Sequence, residues 1–220
     1  MSDNRGYKVI AIVALLIGVI GVTLGYAAFQ NTLTFTPSAD VTANNGLFNV
    51  DFSSDSDSAA TNAIVADLSP NNVTGFTATN GSISNSGNPT VTGMKATFTA
   101  PGQTATYTFY ARNVGSFKAY LNGITFTGTK TCSAKQGVTA TNDYVQAACS
   151  GISMSVTIGE DANAPVYTSS NSSINNMDLD IGDSVQITVT LTYAANSSQS
   201  DGDFDVTFPS VTLTYDSVEL

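Results

Sequence analysis

Apolar residues form one uninterrupted run near the start of the chain, VIAIVALLIGVIGVTLGYAAF (Val9–Phe29). The run contains no charge, and as a helix rising about 1.5 Å per residue it is long enough to cross a hydrocarbon layer of about 30 Å. Arg5 and Lys8 precede it, and no basic residue follows until Lys95. Because positive flanks stay in the cytoplasm, the N-terminus is predicted to be cytoplasmic and residues 30–220 to be extracellular or on the cell surface.

Two fates of this segment remain open. Signal-peptide cores of about 7–15 apolar residues are shorter than this run, which favours a single-pass membrane anchor. The run nevertheless ends in small residues suited to cleavage by a signal peptidase, so Ala27, Ala28 and Phe29 form a predicted processing region. Residues 1–29 are therefore interpreted as a signal peptide or a membrane anchor, and residues 30–220 as the extracellular domain.

Beyond the apolar run, hydrophobic and polar residues alternate in short segments, which is typical of half-buried strands. The predicted strands are Thr32–Thr36, Leu47–Phe52, Val91–Thr99, Ala105–Ala111, Ala119–Thr127, Gly151–Gly159, Val185–Tyr193 and Phe204–Val218. In Ala119–Thr127 the pattern places Tyr120, Asn122, Ile124 and Phe126 on one face. Pro209 predicts a break within the last strand, because proline cannot donate to a ladder.

Helical periodicity is weak throughout residues 30–220. Ala59–Leu68 comes nearest to it and is predicted to form one or two turns of helix, whereas Asn71–Pro89 is predicted to be irregular, with at most one poor strand. About eight strands joined by turns predict an all-β fold, an antiparallel, jelly-roll-like β-sandwich preceded by one N-terminal hydrophobic helix. An immunoglobulin-like Greek key is the alternative, although the chain lacks the tryptophan of that signature.

Charge and composition exclude several function classes. Residues 30–220 carry five basic and sixteen acidic side chains, a formal charge of −11 (5 − 16). Such a surface repels phosphate backbones, so we expect no nucleic-acid partner. The chain contains no histidine, which removes the usual general base, most zinc sites and every Ser-His-Asp arrangement. We therefore expect a protein that is not an enzyme, with no catalytic residue and no cofactor.

Calcium is a candidate ligand of two acidic segments, Asp178–Asp183 and Asp201–Asp205, because calcium takes carboxylate oxygens from loops. Neither segment follows the EF-hand spacing. Solvated turn acids are the favoured interpretation, and no metal site is assigned.

The two cysteines, Cys132 and Cys149, both lie in the part predicted to be outside the cell. A disulfide between them would close a loop of about 17 residues and contribute roughly 3 kcal/mol in the chain-entropy model. A pair of free buried thiols is the alternative. The residues between the cysteines have too few spaced apolar positions for a strand and are predicted to form a loop.

The segment PGQTATYTFYARNVG (Pro101–Gly115) resembles part of the TasA/camelysin family of secreted bacterial matrix proteins, and Gly25–Asn31 resembles that family's processing region. The resemblance implies a jelly-roll domain and a subunit of an extracellular filament or biofilm matrix. It also implies that the N-terminal strand of one copy completes the sheet of the next, so the predicted partners are further copies of the chain. The predicted assembly strand consists of Thr32, Leu33, Thr34, Phe35 and Thr36. The Cys132–Cys149 segment departs from the family pattern.

A second function remains open from the sequence. A membrane-anchored adhesin or binding module would use the long polar stretch Asn71–Pro89 as a ligand loop, because loops of that length are uncommon unless they are functional or disordered.

Overall fold

A computed structural model describes residues 13–17, 48–56, 63–160 and 164–216. The chain divides into two units, Met1–Thr42 and Ala43–Leu220. In the first unit, residues 13–17 are helical and exposed. None of the helices in the described ranges is both long and apolar enough to cross a membrane. The predicted processing region, Ala27, Ala28 and Phe29, and the predicted assembly strand Thr32–Thr36 lie outside the described residues.

The second unit is an antiparallel β-sandwich, so the predicted fold class is confirmed. Its strands are β1 (Val50–Ser53), β2 (Ala63–Ile64), β3 (Ala66–Ser69), β4 (Thr77–Thr79), β5 (Gly81–Ser84), β6 (Thr90–Thr92), β7 (Lys95–Phe98), β8 (Thr104–Asn113), β9 (Ala119–Thr127), β10 (Thr131–Ala134), β11 (Ile152–Ile158), β12 (Val166–Tyr167), β13 (Ser173–Leu179), β14 (Ser184–Tyr193), β15 (Phe204–Thr207) and β16 (Ser210–Asp216). A helix, α1 (Asn142–Ser150), lies between β10 and β11.

The first sheet has the strand order β1-β8-β14-β11-β12, and β3 also pairs with β8. β1 pairs with the end of β8 at Asn113 and β3 with its start at Thr104, so the two short strands together form one edge. Between them the chain leaves this sheet, and β2 pairs with β5 of the opposite sheet. At the other edge, β11 and β14 pair along all seven residues of β11.

The opposite layer consists of two smaller sheets, ordered β10-β15-β7-β4 and β13-β9-β16-β6-β5-β2. Four chain segments run directly from one of these sheets into the other, and they form the strand pairs β4–β5, β6–β7, β9–β10 and β15–β16. The order β10-β15-β7-β4 in one sheet corresponds, strand by strand, to the order β9-β16-β6-β5 in the other. The two small sheets are therefore the halves of one sheet that is bent along a line. We call this line, which crosses Asn80, Gly93–Met94, Gly128–Lys130 and Phe208–Pro209, the bend.

The residues at the bend explain why the strands are interrupted there. Gly93 and Gly128 have φ angles of 76° and 99°, a region that glycine reaches without steric cost. Pro209 breaks the last strand, as predicted. The prediction of one continuous strand over Val91–Thr99 is wrong, because Gly93 separates β6 from β7. The chain alternates between the two layers through β7, β8, β9, β11, β13, β14 and β15, as in a jelly roll.

One hydrophobic core fills the space between the layers. The rings of Phe98 and Phe204 from the bent sheet meet Tyr193 from the first sheet at centroid distances of 5.8 and 5.5 Å. Nearer the bend, Tyr107 of β8 is fully buried, and its hydroxyl donates to the carbonyl of Thr79 at 2.7 Å and approaches that of Lys95 at 3.4 Å. Tyr107 therefore ties the first sheet to the bend of the second.

The face predicted for β9 is only half correct. Ile124 is buried, but Tyr120 and Asn122 lie on the outer face, and Ala119 and Leu121 take the inward positions before Ile124. The register of β9 against β16 passes from Thr214↔Gly123 to Tyr215↔Leu121, which leaves Asn122 as an extra residue. This β-bulge shifts the alternation by one position, and a period-two pattern read through it assigns the wrong face.

Three further local predictions are wrong. The described part of Ala59–Leu68 is strand rather than helix, because Ile64 is buried beside exposed Val65 in a period of two. The stretch Asn71–Pro89 contains β4 and β5 instead of being irregular. The predicted loop between the cysteines contains α1, whose Val145, Ala148 and Cys149 are buried on one helical face.

The disulfide between Cys132 and Cys149 is present and spans a sequence separation of 17, as predicted. It joins β10, at the edge of the bent sheet, to the last turn of α1. The Gln146 Nε2 donates to the Cys132 carbonyl at 3.2 Å and holds the helix against the same strand.

Replacing both cysteines by serine is expected to lower the melting temperature by several degrees, since a domain of this size loses about 2–4 °C per kcal/mol. The fold should persist, because the core between the sheets lies largely outside this bridge. Circular dichroism melting of the two proteins measures the change. Two free thiols found by labelling unreduced native protein would contradict the bridge itself.

Replacing Tyr107 by phenylalanine is expected to cost about 1–2 kcal/mol, since the Thr79 carbonyl loses its buried donor. Burial raises the pKa of the Tyr107 hydroxyl to about 12. The neutral form is favoured in the folded state, so its contribution to stability is complete below pH ~10 and is lost as the pH rises towards 12. In denaturant unfolding between pH 8 and 11, the free energy of unfolding should fall less with rising pH for Tyr107→Phe than for wild type. Tyr110→Phe, on the outer face of β8, is the matched control.

Candidate functional site: an uncovered strand edge and a lateral groove

The two edges of the first sheet differ in how their backbone hydrogen-bonding groups are satisfied. At the β1 edge, the side chain of Asn85 takes the place of a neighbouring strand: its Oδ1 accepts from the Phe52 amide at 2.8 Å, and its Nδ2 donates to the Phe52 carbonyl at 2.9 Å. A carboxamide has the donor and acceptor of a peptide group, so Asn85 satisfies this edge as a strand would. The β1 edge is thereby closed to further pairing at Phe52.

At the opposite edge, β11 is covered only in part. β12 pairs with Val156 and Thr157. Within the described ranges, no strand pairs with the outer side of β11 from Ile152 to Ser155. We call this stretch the open edge.

The hydrogen bonds between β11 and β14 show which backbone groups face outward at the open edge. The carbonyl of Gly151 accepts from Ala194 at 3.0 Å, and the amide of Gly159 donates to Gln186 at 2.8 Å, so both glycines point towards β14. Because bonding alternates along an antiparallel strand, Ile152 and Met154 direct their amides and carbonyls away from β14. The Ile152 carbonyl already accepts from the Lys130 ammonium, so an added strand would bond to Met154.

A groove of about 530 Å³ lies beside the open edge. Ile152, Ser153 and Met154 form one wall of the groove. The opposite wall comes from the bend, and the turn after β12 contributes the third side. The lining at the bend and in the adjoining end of β9 consists of Phe126, Gly128, Thr129, Lys130, Phe208 and Pro209. The groove, which we call the lateral groove, is thus an apolar recess that opens next to unpaired strand backbone.

Lys130 is the charged residue in the lining of the lateral groove. Its ammonium group donates to the Cys149 carbonyl at 2.7 Å and to the Ile152 carbonyl at 2.5 Å. Burial lowers the pKa of this amine. The Cys149 carbonyl belongs to the last turn of α1, where carbonyls lack helical partners and a cation is favourable. Lys130 therefore fixes the junction of α1 and β11 at one end of the groove.

The acidic segments considered for calcium have other partners. Lys118 Nζ lies 2.8 Å from Asp178 and 3.0 Å from Asp180. In the second segment, Asp203 lies 3.5 Å from Lys135, and Asp205 lies 2.8 Å from Lys95. In the described part of the chain, no three acidic, cysteine or histidine side chains are grouped closely enough to hold a metal ion.

Of the residues that the sequence singled out, Cys132 and Cys149 are brought together at the end of α1, close to the groove. The groove itself was missed. Its lining comes from β9, β11, β15 and the turns next to them, and no single segment carries its pattern. Pro209 was the one local signal, since the predicted break in the last strand marks the bend.

Neither the models of known protein families, nor the curated proteins, nor the solved structures provide a match to this chain. Function is therefore inferred from the open edge and the lateral groove.

Replacing Lys130 by methionine is expected to lower the free energy of unfolding by about 1–3 kcal/mol, because two carbonyls lose their charged donor. Lys135→Met is the matched control. Lys135 is partly exposed in an ion pair of 3.5 Å, and exposed pairs contribute about 0–1 kcal/mol. Urea unfolding of both variants measures the difference, and equal losses would contradict the role assigned to Lys130.

Proposed function

We propose that this chain is a non-enzymatic extracellular structural protein, a subunit of a surface filament or biofilm-type matrix that assembles by β-strand donation. The observation that carries the proposal is the open edge of β11 beside the lateral groove. An extended segment added there gains backbone hydrogen bonds to Met154 and buries alternate side chains in the groove. Uncovered edges promote pairing between chains, and proteins usually block them.

The donor in this proposal is the predicted assembly strand Thr32–Thr36. Leu33 and Phe35 fall on one face of an extended segment, and the three threonines fall on the other. Such a strand matches a site that offers backbone on one side and an apolar recess on the other. The resemblance of Pro101–Gly115 to TasA/camelysin proteins favours donation between copies over folding back within one copy.

The proposed location is outside the cell. A disulfide between Cys132 and Cys149 is typical of proteins in oxidising compartments. Cleavage near Ala28 would release the subunit, whereas retention of residues 1–29 would leave it displayed on the cell. Both forms present the sandwich with its N-terminal segment ahead of β1.

The adhesin alternative loses the feature that motivated it. Asn71–Pro89 contains β4 and β5 and contributes to the bent sheet, so it is not one long ligand loop. The structural-subunit proposal is therefore the better supported of the two.

Deleting Asn31–Thr36 is expected to abolish assembly of the secreted protein, because the donor strand is removed while the sandwich stays complete. Electron microscopy and sedimentation of both proteins provide the measurement. Filaments of equal number and length from the deleted protein would show that strand donation is wrong. A wild-type protein that remains monomeric would also contradict the proposal.

The acceptor side is tested separately with Met154→Pro. The Met154 amide points away from β14, so proline leaves that ladder intact and removes a donor from the open edge. Assembly should fail in Met154→Pro and persist in the matched variant Met154→Ala, which keeps the amide. Equal melting temperatures of the two variants would exclude unfolding as the cause.

A further inference from the structure

Three large apolar side chains are exposed together at one end of the sandwich. Val114, Phe117 and Ile181 are 46, 56 and 61% exposed. The first two lie in the loop between β8 and β9, and Ile181 lies in the turn between β13 and β14. We call these three side chains the end patch. Grouped apolar residues of this kind mark interaction surfaces more often than scattered ones do.

A buried asparagine holds the two loops of the end patch in place. Asn113 is 1% exposed, and its Nδ2 donates to the carbonyls of Phe117 at 2.8 Å and Leu179 at 2.9 Å. Its Oδ1 accepts from the Gly115 amide at 3.0 Å. The Asn113 carbonyl also accepts from the Gly182 amide at 3.0 Å, and the Asn113 amide donates to the Asp183 carbonyl at 3.0 Å. The patch is therefore presented on a fixed backbone, which lowers the entropy cost of binding.

Charged groups lie beside the end patch. Lys118 forms ion pairs with Asp178 and Asp180 beside the exposed Ile181. An apolar centre with a polar rim is the usual composition of a protein interface.

The chain that carries the predicted assembly strand joins the sandwich at this same end. The carbonyl of Asn49 accepts from the amides of Val114 at 3.0 Å and Gly115 at 3.1 Å. Thr36 precedes Phe48 by twelve residues (48 − 36), which span at most about 40 Å when fully extended. A copy that holds Thr32–Thr36 in its lateral groove therefore lies within about 40 Å of the donor's end patch.

We propose that the end patch docks onto the neighbouring copy that receives the donated strand. The inference rests on the proposed function and adds a second contact to it. Once the strand is bound, the patch meets its partner at the high effective concentration set by a short tether. The strand supplies the connection between copies, and the patch fixes their relative orientation, so the assembly is a regular filament.

The test uses the full chain in the form that cells deliver it, with the triple substitution Val114→Ser, Phe117→Ser and Ile181→Ser. The matched control is Val65→Ser with Tyr144→Ser, since these side chains are 73 and 57% exposed elsewhere on the domain. The triple variant should raise the critical concentration for assembly about tenfold or more, because apolar burial at the contact is lost. It should also lose the regular repeat in electron micrographs. The control should assemble like wild type, and all three proteins should melt alike.

The outcomes separate this inference from the proposed function. If the triple variant assembles like wild type while deletion of Asn31–Thr36 abolishes assembly, the end-patch inference is overturned and strand donation stands. If the deletion leaves assembly unchanged, the proposed function fails and this inference fails with it. If wild type lacking residues 1–29 floats with phosphatidylcholine vesicles, and the triple variant lacking the same residues does not float but assembles normally, the partner of the patch is lipid and not a second copy.

Discussion

The bend across the second sheet is the constraint on which the rest of the structure depends. Bending four strands along one line interrupts their ladder, and the freed carbonyls need other donors. Tyr107 donates to Thr79, the Thr79 hydroxyl donates to the Gly93 carbonyl at 2.9 Å, and the Phe208 amide donates to Met94 at 3.1 Å. Because Tyr107 comes from the opposite sheet, its hydrogen bond at the bend also holds the two layers together.

The bend also creates the lateral groove. Where β9 and β15 are interrupted, residues such as Gly128 and Pro209 turn away from a regular ladder and leave a recess facing β11. α1 closes the sandwich on one side of this recess through its disulfide to β10, and the turn after β12 bounds the other. The groove is thus the gap that remains between α1 on one side and the turn after β12 on the other.

Strands with an unbroken period were predictable from sequence, and those with a local irregularity were not. β8 and β14 alternate without interruption, and the structure places them at the centre of the first sheet. The bulge at Asn122 and the break at Gly93 each interrupt a strand whose hydrophobic alternation in the sequence looks continuous. The open edge could not be predicted in this way, since it depends on strand order, which is set by contacts distant in sequence.

The contrast between the two edges of the first sheet is the strongest argument for a functional acceptor site. An edge strand presents donors and acceptors that invite pairing with other chains, and natural proteins usually block them. Here the β1 edge is blocked by Asn85, a side chain from the opposite layer that matches the peptide group of Phe52. The β11 edge, by contrast, has a two-residue partner strand that stops at Val156 and leaves Met154 beside an apolar recess. Asn85 blocks the β1 edge at Phe52 and Lys130 occupies the Ile152 carbonyl, so within the described residues the backbone of Met154 beside the groove is the place suited to adding a strand.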